Sequence, residues 1–472
     1  MERNEGFGQE DQGEQRLQHD ALRFEAMLKG EAYHFFDLFM LEDIFFYYMR
    51  HNKFAKALNL VNYALKQHPD NEELFFKRST VLLEMGKTKE ALREVQRAIE
   101  INPTQLDYIF LQADILSQIG RYKDAMQSLE KALENSQIPE EIWFQMGNIA
   151  QTSGHQKDAE KCFRKAIEIL PEFEEPVFEL AFCLESQDKV SEAVELYTQF
   201  LNRVPFSYTV WYNLGILYSR LGLYEKAIDA YDFAITIEDG FASAWFNKGN
   251  VLMDMSKYDE ALKCFLEASV HEKPDISIHY NIAECYEHLA HYPMAVKYYF
   301  RCTDSNPEYL DAWLGLAYCM ECQEKFNEAI YYYKKAVTID NENFDGWLSL
   351  ATVEYQMGNS MGAYEALEQA LKINSNDLKL WQEWGNLLWN EDHPDGAISF
   401  MIEGIKLNPS MPELYYQLAG YYFSKGKNTK AFTCLENGLL IDPEKHRILF
   451  RTFEAAKTIP MVGELIAQYS KV

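Results

Sequence analysis

Alanine at one fixed phase constrains this chain more than any other feature. Steps of 34 residues from Ala57 reach Ala91, Ala125, Ala159, Ala193, Ala227, Ala261, Ala295, Ala329, Ala363, Ala397 and Ala431, with no insertion or deletion. Composition does not produce twelve hits in register, so the chain is an internal repeat from Leu38 to about Lys445. A single core stops growing near roughly 250–300 residues. Here 472 residues, 47% of them hydrophobic, run on with 14 prolines, 23 glycines and no Pro/Gly/Ser-rich linker. An array in which each unit buries its apolar face only against its neighbours reconciles the two facts.

The stretch Tyr208–Asp239 shows what one unit is. Trp211, Leu214, Gly215 and Tyr218 form one stripe and Ala227, Tyr231 and Ala234 a second, both at helical spacing, with a break at Gly222. Gly215 and Ala227 lack the bulk that would hold two crossing backbones apart. The other units repeat these columns: Ser79, Ala113, Gly147, Ala181, Gly249, Ala283, Ala317, Ala351, Gly385 and Ala419 share the position of Gly215, and only the first unit departs, with Phe45. Trp143, Trp211, Trp245, Trp313, Trp347 and Trp381 stand four residues ahead of that small column and read as core. Gly86, Gly120, Gly154, Gly222, Gly358 and Gly426 mark the turn between the two helices, and prolines such as Pro103, Pro205 and Pro307 mark the junction between units.

The combination W-x-x-L-G-x-x-Y, then A-x-x-x-Y-x-x-A, then a closing Pro or Asp resembles the tetratricopeptide repeat (TPR) family. The resemblance implies an all-α fold, a right-handed α-solenoid superhelix of about twelve 34-residue helix-turn-helix units whose first helices line a concave groove. It implies docking of a protein or peptide partner, because the family is a general interaction scaffold. The array occupies residues 38–445. Residues 1–37 are expected to be an acidic, partly disordered segment with a capping helix from Leu17 to Lys29, and residues 446–472 a capping helix or helices broken near Pro460.

The sequence offers no constellation for catalysis. Gly86-Lys87-Thr88 mimics a phosphate loop, but Val81 stands where the first glycine belongs and a helix, not a strand, leads in. Cys319 and Cys322 have the gap of a metal pair, yet zinc needs four ligands. Column analysis makes Cys162, Cys183, Cys264, Cys285, Cys302, Cys319 and Cys434 small core residues and leaves Cys322 exposed. His288 and His291 straddle a turn and read as solvated. Acidic pairs such as Glu72-Glu73 and Glu174-Glu175 open first helices, where negative charge suits the helix dipole. No enzyme activity, cofactor or metal is expected.

The groove positions carry the functional expectation. Two residues before the small column stand Asn213, Asn247 and Asn281 in successive units, with Gln145 and Gln417 in others. A carboxamide both donates and accepts, so a ladder of them can pair with the backbone of an extended peptide whatever its side chains. The pattern resembles the ladder in the repeat region of O-linked N-acetylglucosamine transferase. Asn148, Asn250 and Asn386, one residue after the small column, extend the surface. Equally, these carboxamides can bond the neighbouring hairpin and set its packing. One residue before the ladder runs an aromatic column, Phe76, Phe110, Phe144, Phe178, Tyr212, Phe246 and Tyr280, which suits a hydrophobic peptide or core packing. Members of the family that grip a terminal carboxylate carry lysines where this chain has Phe or Tyr, so that mode is not expected.

With 73 acidic against 45 basic residues the net charge is −28, which disfavours nucleic acid and anionic membrane surfaces and favours encounter with a basic partner. No apolar run is long enough for a membrane span and the polar N-terminus is no export signal, so a cytoplasmic protein is expected. The reading is therefore a non-enzymatic scaffold binding an extended segment through Tyr212, Asn213, Phe246, Asn247, Asn250, Tyr280 and Asn281, with Phe144 and Asn148 on the same surface. The alternatives are a structural subunit docking through its convex face or ends, and an accessory subunit of an enzyme.

Overall fold

Helical hairpins, one for each sequence repeat, make up the computed structural model, which describes residues 5–31, 33–134, 136–273, 275–390 and 393–469. The chain divides into two compact units, Met1–Asp239 and Gly240–Val472. In the first, the helix Glu5–Leu28 precedes six hairpins. These are Leu38–Arg50 with Phe54–Gln67 (hairpin 1), Glu72–Glu84 with Thr88–Ile101 (2), Leu106–Gln118 with Tyr122–Leu133 (3), Pro139–Thr152 with Gln156–Ile169 (4), Glu174–Ser186 with Val190–Leu201 (5) and Tyr208–Arg220 with Tyr224–Ile237 (6). The second unit holds Ala242–Asp254 with Tyr258–His271 (7), Ile276–His288 with Tyr292–Ser305 (8), Leu310–Cys322 with Phe326–Ile339 (9), Phe344–Gln356 with Ser360–Ile373 (10), Leu378–Asn390 with Pro394–Leu407 (11) and Pro412–Ser424 with Asn428–Ile441 (12). The all-helical, tandem-repeat reading of the sequence is what the structure shows.

Five first helices start at residues whose side chains accept an orphan backbone N–H, Asp37 from Met40, Asn71 from Leu74, Ser207 from Val210, Asp275 from Ile278 and Asn343 from Gly346, while others, such as those after Gln105 and Tyr309, have no such cap. They end at one turn position with positive φ. Glycine fills it six times, at φ of 68–78° in Gly86, Gly120, Gly154, Gly222, Gly358 and Gly426. The same position is held at φ of 55–61° by Asn52, Asp188, Ser256, Ala290 and Glu324, where a Cβ makes the left-handed conformation costly. The turn geometry therefore belongs to the repeat, not to glycine.

The small column has the role expected of it. A Cβ added at Gly215 would lie 2.6 Å from the Tyr231 ring, and one at Gly249 2.6 Å from Phe265, so an aromatic of the second helix rests on the backbone of the first. The tryptophan column departs from the expectation. Only Trp381 is fully buried, while Trp143, Trp211, Trp245, Trp313 and Trp347 are half-buried. Three of these have a second job at the junction: the indole N–H donates to the carbonyl six residues earlier, Trp211 to Pro205 at 2.9 Å, Trp313 to Pro307 at 2.9 Å and Trp347 to Asn341 at 3.0 Å. Of the seven cysteines read as core, six are buried and Cys434 is half-buried like Cys322. Hairpin 12 packs against the short helices Pro443–His446 and Arg447–Thr452 and the ten-residue helix Pro460–Tyr469 in place of another hairpin.

Both ends are packed. Tyr48 of hairpin 1 donates to the Ala21 carbonyl at 3.3 Å and to Glu25 at 3.1 Å, and Phe24 meets Phe36 and Tyr63 edge to face. Residues 1–4 of the segment expected to lack structure lie outside the described residues, and from Glu5 the chain is helical. At the other end Phe453 stacks on Phe423, and Tyr469 reaches Glu436.

Candidate functional site

The sequence-predicted ladder divides between two roles. Asn281 Nδ2 donates to Asn250 Oδ1 at 2.9 Å, tying hairpin 8 to hairpin 7. Two other pairs at the same 31-residue separation do likewise: Gln145 to Asp114 at 2.6 Å and Gln417 to Asn386 at 2.9 Å. A residue two before the small column thus bonds the residue one after it in the preceding hairpin. Asn213 has no such partner to use, since Phe182 occupies that place in hairpin 5, and its Nδ2 turns back to the Thr209 carbonyl at 2.8 Å. Asn213 and Tyr212 lie in the first unit, Asn247, Asn250, Tyr280 and Asn281 in the second. Asn148 is half-buried, and its carboxamide has no hydrogen-bond partner among the described residues.

The aromatic column is half-buried throughout and packs on the second helix of its own hairpin: Phe144 against Phe163 at 6.0 Å, Tyr212 against Tyr231 at 6.0 Å, Phe246 against Phe265 at 5.6 Å and Tyr280 against Tyr299 at 5.7 Å. Phe144 and Tyr280 also touch the next hairpin, at Phe173 and Tyr309. Each ring is thus engaged in the fold while remaining partly accessible.

The ladder stops at Gly315. In hairpin 9 this glycine takes the place of the carboxamide, and the Tyr299 ring lies where its Cβ would be. A cleft of about 270 Å³ opens there across hairpins 8, 9 and 10. Hairpin 8 contributes Tyr280, Glu284 and Glu287; hairpin 9 contributes Asp311, Leu314, Gly315 and Tyr318; hairpin 10 adds Asp345 and Ser349. Tyr299 and Tyr333 close its floor from the second helices. These two tyrosines make the same bond one repeat apart, Tyr299 donating to Glu287 at 2.8 Å and Tyr333 to Glu321 at 2.9 Å. Burial pushes the Glu284 carboxyl up, helped by Glu287 and Asp311 and opposed by His288. Glu287 is also raised by burial, against the hydrogen bond from Tyr299. Tyr280 is the one predicted site residue in this cleft. The other lining residues are not set apart in the sequence, where the lone glycine at position 315 in the ladder column is the one departure that marks the place.

Six TPR family models match the chain, over residues 140–173, 177–207, 208–241 with 242–269, 289–344, 323–383 and 412–445. A model described as anaphase-promoting complex, cyclosome, subunit 3 matches residues 50–132. Among solved structures, YrrB, described as a TPR protein with an unusual peptide-binding site, is 20% identical with TM-score 0.37, covering 40% of this chain and 98% of its own. PilW, a type IV pilus biogenesis factor, is 20% identical with TM-score 0.38, over 44% and 96%. A TPR protein from Parabacteroides merdae is 17% identical with TM-score 0.37, over 52% and 96%. No curated protein matches. Tandem hairpins with paired helices, a left-handed turn residue and a small-residue crossing define a repeat scaffold of the protein-interaction class. The chain belongs to the tetratricopeptide repeat family. Among the described residues no helix is long and apolar enough to cross a membrane.

Proposed function

We propose that this protein is a non-enzymatic docking scaffold that receives an extended segment of another protein along its first-helix face. The observation that carries the reading is the cleft at hairpins 8–10, which opens at first-helix positions of three successive repeats just beyond the Asn281–Asn250 hydrogen bond that ties hairpin 8 to hairpin 7. An extended chain rises about 3.3 Å per residue and helices pack about 8–10 Å apart, so roughly every third residue of such a segment meets a new hairpin. The eight free cysteines suit a reducing compartment, the cytosol. The test is purification of the full chain from its native cell, identification of the bound protein, and mapping of the contact by cross-linking mass spectrometry. Cross-links at Tyr280, Tyr318 and Ser349 are expected, and Tyr318→Ala is expected to weaken the complex.

A second reading is favoured by the match of residues 50–132 to a subunit family of a large assembly. In that reading the chain is itself a structural subunit, docking by second helices or by its ends. Cross-links confined to second helices or to residues 446–469, with Tyr318→Ala binding unchanged, would establish it and remove the first.

A further inference from the structure

The chemistry of the cleft narrows the class of partner, an inference that rests on the groove reading above. Four carboxylates line it, Glu284 and Glu287 from hairpin 8, Asp311 from hairpin 9 and Asp345 from hairpin 10, and no lysine or arginine does. Among the described residues Glu284, Asp311 and Asp345 have neither an ion-pair nor a hydrogen-bond partner. Glu287 receives Tyr299 and Cys319 on Oε2, and its Oε1 accepts from no described group. A fold that only needed negative charge in the first turns of helices would account for Asp311 and Asp345. It would not account for Glu284 and Glu287, which stand in the second half of their helix and are raised by burial.

The walls supply the other half of the chemistry. Tyr280 and Tyr318 line the cleft from first helices and Tyr299 and Tyr333 from second helices, so aromatic rings and carboxylates share the walls. Gly315 lets the Tyr299 ring rest on the backbone of the first helix of hairpin 9. A guanidinium suits such a site better than an ammonium. Its planar fork reaches carboxylates in several directions, its face packs on aromatic rings, and it is the more weakly hydrated cation. The geometry points to this cleft as the seat of an arginine side chain carried by an extended, basic segment of a partner protein.

The experiment pans a random dodecapeptide display library against the full chain at physiological salt, then measures the fluorescein-labelled winners by anisotropy. Winners bearing arginine are expected. Replacing that arginine by citrulline, which keeps the shape and removes the charge, is expected to weaken binding about tenfold or more. The triple variant Glu284→Gln, Asp311→Asn, Asp345→Asn is expected to do the same. A control with the same change in net charge on second helices, Glu260→Gln, Glu267→Gln, Asp304→Asn, is expected to bind within about twofold of the parent. Equal loss in the control would assign the effect to overall charge and overturn the proposal. Winners without arginine that Tyr318→Ala abolishes would overturn the arginine assignment and leave groove docking standing. No enriched peptide at all would overturn both.

Discussion

At Glu324, Ala290 and Ser256 a side chain is held at φ of 57–59°, where six other repeats use glycine. Left-handed backbone costs a residue with a Cβ about 1–2 kcal/mol, part of which glycine gives back as chain entropy in the unfolded state. Glu324→Gly and Ala290→Gly are each expected to stabilise the fold by about 0.5–1 kcal/mol, read as a rise in denaturation midpoint at unchanged slope. His279 is the opposite case. It occupies the tryptophan column, its Nδ1 is buried without a partner, and burial, with Arg301 nearby, holds its pKa down. The unfolded chain takes up a proton below the ordinary value of 6.5 that the folded chain resists, so stability drains away as pH falls below 6.5. His279→Trp is expected to flatten that loss in thermal melts taken between about pH 7 and 5. Asp114 has the other sign. Burial pushes it up to about 6, against the hydrogen bond from Gln145, so the folded chain holds the proton more tightly than the unfolded one. Its contribution is full below 3.8 and lost as pH rises through 6, and Asp114→Asn is expected to abolish that loss.

Among elements, the unit of cohesion is the bond from one hairpin to the next. Gln417 is 2% exposed and its amide meets Asn386, the Gln382 carbonyl and Tyr421. Gln417→Ala is expected to cost about 1–3 kcal/mol because it strands buried acceptors. The half-buried counterpart pair gives a cleaner number: a double-mutant cycle on Asn250→Ala and Asn281→Ala is expected to show a coupling of about 0.5–1.5 kcal/mol. A coupling near zero would mean that the two amides serve something other than packing. This is also where legibility ran out. Period, hairpin, turn and small column were all plain in the sequence, because each is set by contacts within about 34 residues of the same chain phase. The partner of Asn281 was not, since an amide spaced for a peptide is also spaced for the amide one repeat earlier. Glu284 and Glu287 were passed over because a carboxylate on a solvated helix face and one gathered with three others in a cleft look alike until neighbouring hairpins are placed.

On the scale of the whole molecule, a net charge of −28 means that carboxylates repel one another wherever the fold gathers them. Added salt from about 10 to 300 mM is therefore expected to raise the melting temperature while slowing association with a basic peptide, two effects of one screening length. Most repeat scaffolds gain specificity by adding side chains to an exposed face. Here position 315 has none, and the Tyr299 ring rests on the bare backbone beside the cleft. Any substitution there would drive a Cβ into the buried Tyr299 ring, which donates to Glu287, and so would disturb the packing of hairpins 8 and 9 together with the cleft. A single codon in one repeat of twelve therefore bears on folding and recognition at once, because the same tyrosine packs two hairpins and lines the cleft.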